Sequence, residues 1–210
     1  MKTQPSSHRK SAGFTLVEMI GVLAVIAILA SMLVPRVFQA ISDSKVNNAA
    51  TSLNSLKAAV NEYYGKYGRF GQTNGVVFAS LPVNNWELTL LAEGIIEKPF
   101  AVRIGDGVVG GVSGSRITVV APAALATTAA ATNSAYCFDG TATVNQATGS
   151  MLVEAVIPGV DPKDAKDLND RLDGTALGAV LLLADTIGRV KYGVPNAAGT
   201  VDVHVYLAHK

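Results

Sequence analysis

The sequence predicts an α+β chain: one long N-terminal helix, apolar all round in its first half and one-sided in its second, lying on an antiparallel sheet. Three observations predict it. An uninterrupted apolar run of 21 residues, FTLVEMIGVLAVIAILASMLV, extends from Phe14 to Val34. Apolar residues then recur at steps of three or four as far as Tyr67, and the last third alternates short β-type runs with turn residues. A chain of 210 residues suffices for one domain with an appendage. Its 49% apolar content excludes a disordered polymer, and its net charge of +1 gives no reason to expect a nucleic-acid partner. The single cysteine, Cys137, excludes an intramolecular disulfide and a multi-cysteine zinc site. No metal or cofactor is implied.

The first element begins after a basic segment. Residues 1–13, MKTQPSSHRKSAG, carry Lys2, Arg9 and Lys10 and no acid. At about 1.5 Å per residue the following 21-residue run makes a helix of roughly 31 Å, the hydrocarbon thickness of a bilayer. Cationic residues ahead of it favour a cytoplasmic N-terminus with the remainder exported. A cleaved secretory signal would have a shorter apolar region and a small-x-small site near its end, and neither occurs here. A plain signal anchor fits the length but not Glu18, because a carboxylate in hydrocarbon costs roughly 2.5–3.5 kcal/mol on insertion scales.

A third reading gives Glu18 a task. Gly13-Phe14-Thr15-Leu16-Val17-Glu18 resembles the processing signal of type IV prepilins and of the related pseudopilins of type II secretion. The resemblance implies a type IV pilin-like fold, with a transmembrane and then amphipathic helix packed on a C-terminal antiparallel β-sheet head. It implies cleavage of the Gly13–Phe14 bond by a prepilin peptidase, and N-methylation of Phe14 by the same enzyme. Glu18 becomes the fifth residue of the mature chain. The new ammonium at Phe14 lies one turn from Glu18, so in a bundle of such helices the amine of one copy meets the carboxylate of another. Each charge offsets the desolvation of its partner. Gly21, Ala24, Ala27, Ala30 and Ser31 are small enough for close helix approach, although ordinary membrane-helix composition explains them equally well.

The second half of the helix is read from Val46, Ala49, Leu53, Leu56, Val60, Tyr63 and Tyr67 on one face, against Asn47, Asn54, Lys57 and Glu62 on the other. The helix is expected to run from Phe14 to about Tyr64 and to end at Gly65 and Gly68. Pro35 removes one backbone donor and should kink or loosen it. The Tyr63, Tyr64 and Tyr67 cluster reads as a core edge. Residues 69–85 read as loop, with Asn85 capping a short helix over 86–92 that stops at Gly94. Strands are expected over 95–104, 116–121, 150–158, 179–184, 189–194 and 201–207, and residues 121–135 form an Ala/Thr tract that reads as a surface connection. Between them Asp161 is a helix N-cap, Pro162 the first helical residue, Asp164 a first-turn acid, and Asp173-Gly174 the stop.

Other motifs carry less. Gly105, Gly107 and Gly110 satisfy G-x-G-x-x-G, but no helix or properly spaced acid follows, so a flexible hairpin is expected. Gly111 to Ser115 misses the nucleophile-elbow pattern by its last residue. His204 and His209 read as a solvated strand face and a frayed end. Asp161, Asp164, Asp167, Asp170 and Asp173 share a three-residue spacing that calcium would accept, but Lys163, Lys166 and Arg171 interleave, favouring a solvated helix. Cys137 reads as a small buried residue.

The expected organisation is a leader over 1–13, a transmembrane and assembly helix over 14–35, its amphipathic continuation over 36–66, and a head over 67–210. The resemblance implies a structural subunit, not an enzyme, that assembles into a type IV pilus-like filament. Its implied partners are further copies and related pilins, the prepilin peptidase and methyltransferase, an inner-membrane platform with its ATPase, and membrane lipid before assembly. Its expected place is the inner membrane as a single-pass precursor with the head outside the cytoplasm, then a surface pilus or a periplasmic pseudopilus. Two alternatives stand beside this: a type II secretion pseudopilin, and a membrane-anchored periplasmic binding or enzymatic domain.

Overall fold

The computed structural model describes residues 14–70, 86–105, 108–109, 112–120, 136–138, 151–178 and 181–210. The elements are α1 (Leu16–Tyr67), α2 (Glu87–Ala92), β1 (Val108–Val109), β2 (Val112–Ser113), β3 (Arg116–Val120), β4 (Leu152–Val160), α3 (Pro162–Leu172), β5 (Val190–Tyr192) and β6 (Val201–His209). Contacts divide the chain into two units, Met1–Ile41 and Ser42–Lys210.

The first unit holds the start of α1, which continues through Pro35 without a break in its helical assignment. Every described residue of this unit is exposed. At its other end α1 runs past Gly65 to Tyr67. It stops where Gly68 takes a left-handed φ of 67° and donates its N–H to Tyr64 O at 2.7 Å. Only a residue without Cβ enters that region freely, so Gly68 is the terminator and Gly65 is an ordinary helical position.

In the second unit, the C-terminal part of α1 buries Val46, Ala49, Leu53, Leu56, Ala59, Val60 and Tyr63. This is the stripe read from the sequence. It packs on a four-stranded antiparallel sheet of order β3-β4-β6-β5. Ile117, Val119, Val153, Ala155, Ile157, Val203 and Val205 supply the sheet side of the core. Each such aliphatic side chain gains about 1.5–3 kcal/mol on full burial, whereas a surface ion pair such as Lys66–Glu93 is worth about 0–1. Apolar packing therefore decides where α1 lies in this unit. Trp86, fully buried, stands edge-on to Tyr63 with ring centroids 4.9 Å apart, which makes the tyrosine cluster part of the core.

The outer edge of β3 is closed by the start of α2. Trp86 N–H donates to Ile117 O and Ile117 N–H donates to Glu87 Oε2, each at 2.9 Å. The donor and acceptor that Ile117 would otherwise leave bare on this edge strand are thereby satisfied. α2 itself matches expectation within one residue, with Gly94 left-handed behind it, while Asn85 lies outside the described residues.

The last third agrees in most elements. Asp161 Oδ1 accepts from Lys163 N–H at 2.8 Å, Pro162 opens α3, and Gly174 is left-handed at φ 85° after the Asp173 C-cap. β6 alternates as expected, with Val201, Val203, Val205 and Leu207 buried on the core side. β4 lies two residues later than expected. It holds Pro158 at a register shift against β6, where a missing donor is tolerated.

Two expected strands are absent among the described residues. Over 95–104 the Ile95 and Ile96 N–H groups donate to Leu90 O at 3.0 and 3.4 Å, closing α2, and Pro99 supplies no donor for a ladder. Over 179–184 the described residues 181–183 are turn and bend, and Leu182 has a left-handed φ of 71° that no strand accommodates. A single ladder contact follows among the described residues, at Asp185, which bridges Tyr192 on the outer side of β5. β5 is consequently shorter than the expected 189–194. β1, within the G-x-G-x-x-G segment, pairs with β2 just after it, and Gly107 and Gly110 lie outside the described residues. So do residues 71–85 of the expected loop and the whole Ala/Thr tract 121–135.

Candidate assembly site at the start of the long helix

Glu18 has a local partner. Its Oε2 accepts from the Thr15 backbone N–H and from the Thr15 hydroxyl, both at 2.7 Å, while Glu18 N–H donates to Thr15 Oγ1 at 3.3 Å. This is a reciprocal capping box in which Thr15 precedes the helix and Glu18 is its third residue. It satisfies donors that the first helical turn leaves open, at a gain of about 0.5–2 kcal/mol for such a cap. The signal was present in the sequence as Thr-x-x-Glu, and the sequence reading gave Thr15 no role. All three contacts avoid Oε1, which has no hydrogen-bond partner among the described residues.

Phe14, immediately before the cap, is 84% exposed, and Gly13 lies outside the described residues. Seventeen large apolar side chains from Phe14 to Ile41 are exposed. Each would gain about 1.5–3 kcal/mol on leaving water, so a covering of lipid or of other helices is required. The helix is long and apolar enough to cross a membrane.

The head offers a second polar constellation, on the sheet face turned away from α1. Glu154 on β4 accepts from the Tyr136 hydroxyl at 2.8 Å and lies 3.2 Å from His204 Nδ1 on β6. Lys191 Nζ on β5 stands 3.9 Å above the Tyr136 ring. Burial pushes Glu154 up, but the His204 hydrogen bond and charge, with Lys191 and the Tyr136 hydroxyl, outweigh it and hold the carboxyl below its usual value. Burial lowers the Lys191 ammonium to about 8, against the opposing pull of Glu154. His204 is thus not on the solvated face expected from the sequence. The tyrosine and the lysine fix the 136–138 segment on the sheet, with Cys137 fully buried within it. His209, exposed, pairs with the Tyr206 hydroxyl at 2.6 Å.

The acidic spacing on α3 is divided among separate tasks. Asp161 caps, Asp164 accepts from the Ser42 hydroxyl at 2.5 Å, and Asp170 pairs with Lys166 at 2.6 Å. Asp173, with its side chain buried, accepts from Arg189 Nε at 2.8 Å and from the backbone N–H groups of Arg189 and Val190. The expected solvated helix is therefore correct only for part of the series. Among the described residues no group of three or more His, Cys, Asp or Glu is placed to hold a metal ion.

Residues 8–34 match the family described as the Prokaryotic N-terminal methylation motif. The chain carries a prepilin-type cleavage and methylation signal. The match takes in Gly13, Phe14, Thr15 and Glu18 and the apolar run as far as Val34. The chain matches no curated protein and no solved structure. A prepilin-type signal on a long apolar helix, followed by a small four-stranded antiparallel sheet, is consistent with an α+β pilin-like fold. The signal implies processing by a prepilin peptidase and assembly with other pilins. Helix and signal together fit a single-pass inner-membrane precursor.

Proposed function

We propose that the chain is a structural subunit: cut between Gly13 and Phe14, methylated on the Phe14 amine, and drawn from the inner membrane into a type IV pilus-like filament. The observation that carries this reading is the coincidence of the processing signal with a helical segment whose every described residue is exposed. Withdrawal into a filament exchanges lipid for the packed flanks of other copies. In that packing the Phe14 ammonium of one copy meets Glu18 of its neighbour through the open Oε1, while Oε2 keeps the Thr15 cap. The charge pair thus selects register without undoing the start of the helix. Platform and ATPase proteins drive the movement, and the subunit needs no active site.

A type II secretion pseudopilus is the second reading. It is favoured by the sequence's single cysteine, Cys137, where many pilins close a C-terminal loop with two cysteines. Deleting the encoding gene and imaging surface appendages tests the first reading. Loss of appendages supports a pilus. Intact appendages with exported enzymes retained inside the cell overturn it in favour of the pseudopilus.

A further inference from the structure

The two ends of the head differ in charge. β6 finishes beside the end of α1, where Lys210 Nζ donates to Gly68 O at 3.3 Å, and Lys66, Arg69 and Lys210 are all exposed there. β6 starts at the other end. Its Val201 pairs with Val160, α3 opens two residues after Val160, and Asp164 of α3 accepts from the hydroxyl of Ser42, the first residue of this unit. Strand pairing carries two loops to the same end. β5 runs from Val190, opposite Val205, to Tyr192, opposite Val203, so the residues after Tyr192 head toward Ser42. Asp185 bridges Tyr192 in the antiparallel sense, so the residues just before Asp185 lie toward that end as well.

These loops form an uncharged, apolar rim. Residues 174–184 and 193–201 contain no Lys, Arg, Asp or Glu. Leu181, Leu182, Leu183 and Val194 are 44%, 58%, 56% and 64% exposed. Leu182 is the one non-glycine residue with positive φ among the described residues, and no burial of its own side chain offsets that conformation. The Ser42 end is also where the chain arrives from its exposed apolar segment. Beyond Pro35 that segment still exposes Val37, Phe38 and Ile41. The 26 helical residues from Leu16 to Ile41 rise about 39 Å, close to the roughly 40–45 Å of a bilayer with its headgroups. A helix that crosses the bilayer over this length delivers Ser42 to the outer lipid surface, and the uncharged rim belongs to the end of the head that starts there.

We propose that in the single-pass precursor the Leu181–Leu183 turn and Val194 sink into the outer headgroup layer of the bilayer that α1 crosses. The inference rests on the membrane-precursor reading above and deepens it by giving the head a lipid contact of its own. Continuity with the membrane-crossing segment, together with the absence of charge, selects lipid as the occupant. Asp161 and Lys163, exposed at the start of α3, stay on the water side and limit the depth of the rim. The contact fixes the tilt of the head on the membrane, and withdrawal into a filament removes it.

The test uses the full-length precursor in vesicles of phosphatidylethanolamine and phosphatidylglycerol. An environment-sensitive fluorophore is attached to Leu182→Cys, Ala24→Cys or Arg69→Cys, while Cys137, fully buried, stays unlabelled in the folded chain. Lipids with a nitroxide at the headgroup or deep in the acyl chain report depth. Position 182 should be quenched by the shallow nitroxide, position 24 by the deep one, and position 69 by neither. Adding Leu181→Ser, Leu183→Ser and Val194→Ser to the position-182 chain should abolish its quenching. The unfolding temperature of the head should not change, because all three side chains are solvated in the single copy. An unquenched position 182 beside a quenched position 24 overturns the lipid contact and leaves the membrane precursor standing. Quenching that survives the three serines also overturns it, since nearness without apolar insertion then suffices. A blue-shifted, unquenched probe that appears only at high protein-to-lipid ratio overturns it in favour of a second copy. Failure to quench position 24 would instead overturn the membrane reading itself.

Discussion

α1 is one helix with two chemical halves, and they obey different rules. From Ser42 to Tyr67 it buries seven side chains at helical spacing, and its polar face is wet. From Leu16 to Ile41 it buries none, although its apolar density is higher. The same backbone thus carries one stretch that has found its partner within the chain and another whose partner is elsewhere. Apolar content alone does not make a core. What distinguishes the halves is whether the apolar residues form a stripe, which one sheet can cover, or a full cylinder, which only lipid or a ring of other helices can. Glu18 and Thr15 sit at the far end of the cylinder, where the carboxylate is hydrogen-bonded from the start.

This contrast can be broken first at the cut. Gly13→Ala should abolish maturation and leave a precursor 13 residues longer on a gel, the largest effect expected of any single substitution. Next comes Glu18. Glu18→Ala should leave processing intact and lower filament yield at least about tenfold, because the neighbouring ammonium loses its partner in a low-dielectric core. Glu18→Gln sharpens the point, since glutamine still completes a capping box with Thr15. If the charge pair matters, the glutamine chain fails nearly as badly as the alanine chain. Wild-type yield from glutamine would assign Glu18 to the cap alone.

A third comparison sets the two units side by side by thermal or denaturant unfolding of the full chain in detergent. Trp86→Ala removes a fully buried side chain packed on Tyr63 and should cost the head about 3–5 kcal/mol. Leu23→Ala removes a side chain that contacts no core and should change head stability by less than about 0.5 kcal/mol.

A pH-dependent effect concerns Lys191. Its ammonium titrates at about 8 in the folded head and near 10.5 when unfolded. Between those values the unfolded chain binds more protons, so this group makes the head more stable as pH rises from 8 to 10.5. Relative to Lys191→Met, the wild-type head should gain about 3 kcal/mol across that window. A pH-independent difference between the two would remove Lys191 from the titrating groups.

Much of this organisation was legible in the sequence, because it is written in local chemistry. The stripe from Val46 to Tyr63, the Asp161-Pro162 start and Gly174 stop of α3, and the alternation of β6 each follow from residue types at fixed offsets. So does the processing signal, where a glycine, a phenylalanine and an acid stand at set spacing before an apolar run. What escaped depends on tertiary context. Residues 95–104 look extended but spend two N–H groups closing α2. Residues 179–184 look like a strand but turn at a left-handed Leu182. The Glu154, Lys191 and Tyr136 cluster draws on β4, β5 and the 136–138 segment, which no sequence spacing joins. Glu154 was nevertheless a clue. It is the one charge in SMLVEAVIP, and β4 is buried along nearly its whole length, so both its faces are covered and the acid needed a partner.

The central claim is that residues 14–41 stay bare in the single chain because they are destined, after one specific cut, for the interior of an assembly. Intact-mass and N-terminal fragment analysis of the protein recovered from its own cells tests this most directly. The account predicts a chain that starts at Phe14 with one added methyl group on its amine and is enriched in sheared filaments. A chain that still starts at Met1, or one with an unmodified Phe14 that never leaves the membrane fraction, would contradict it.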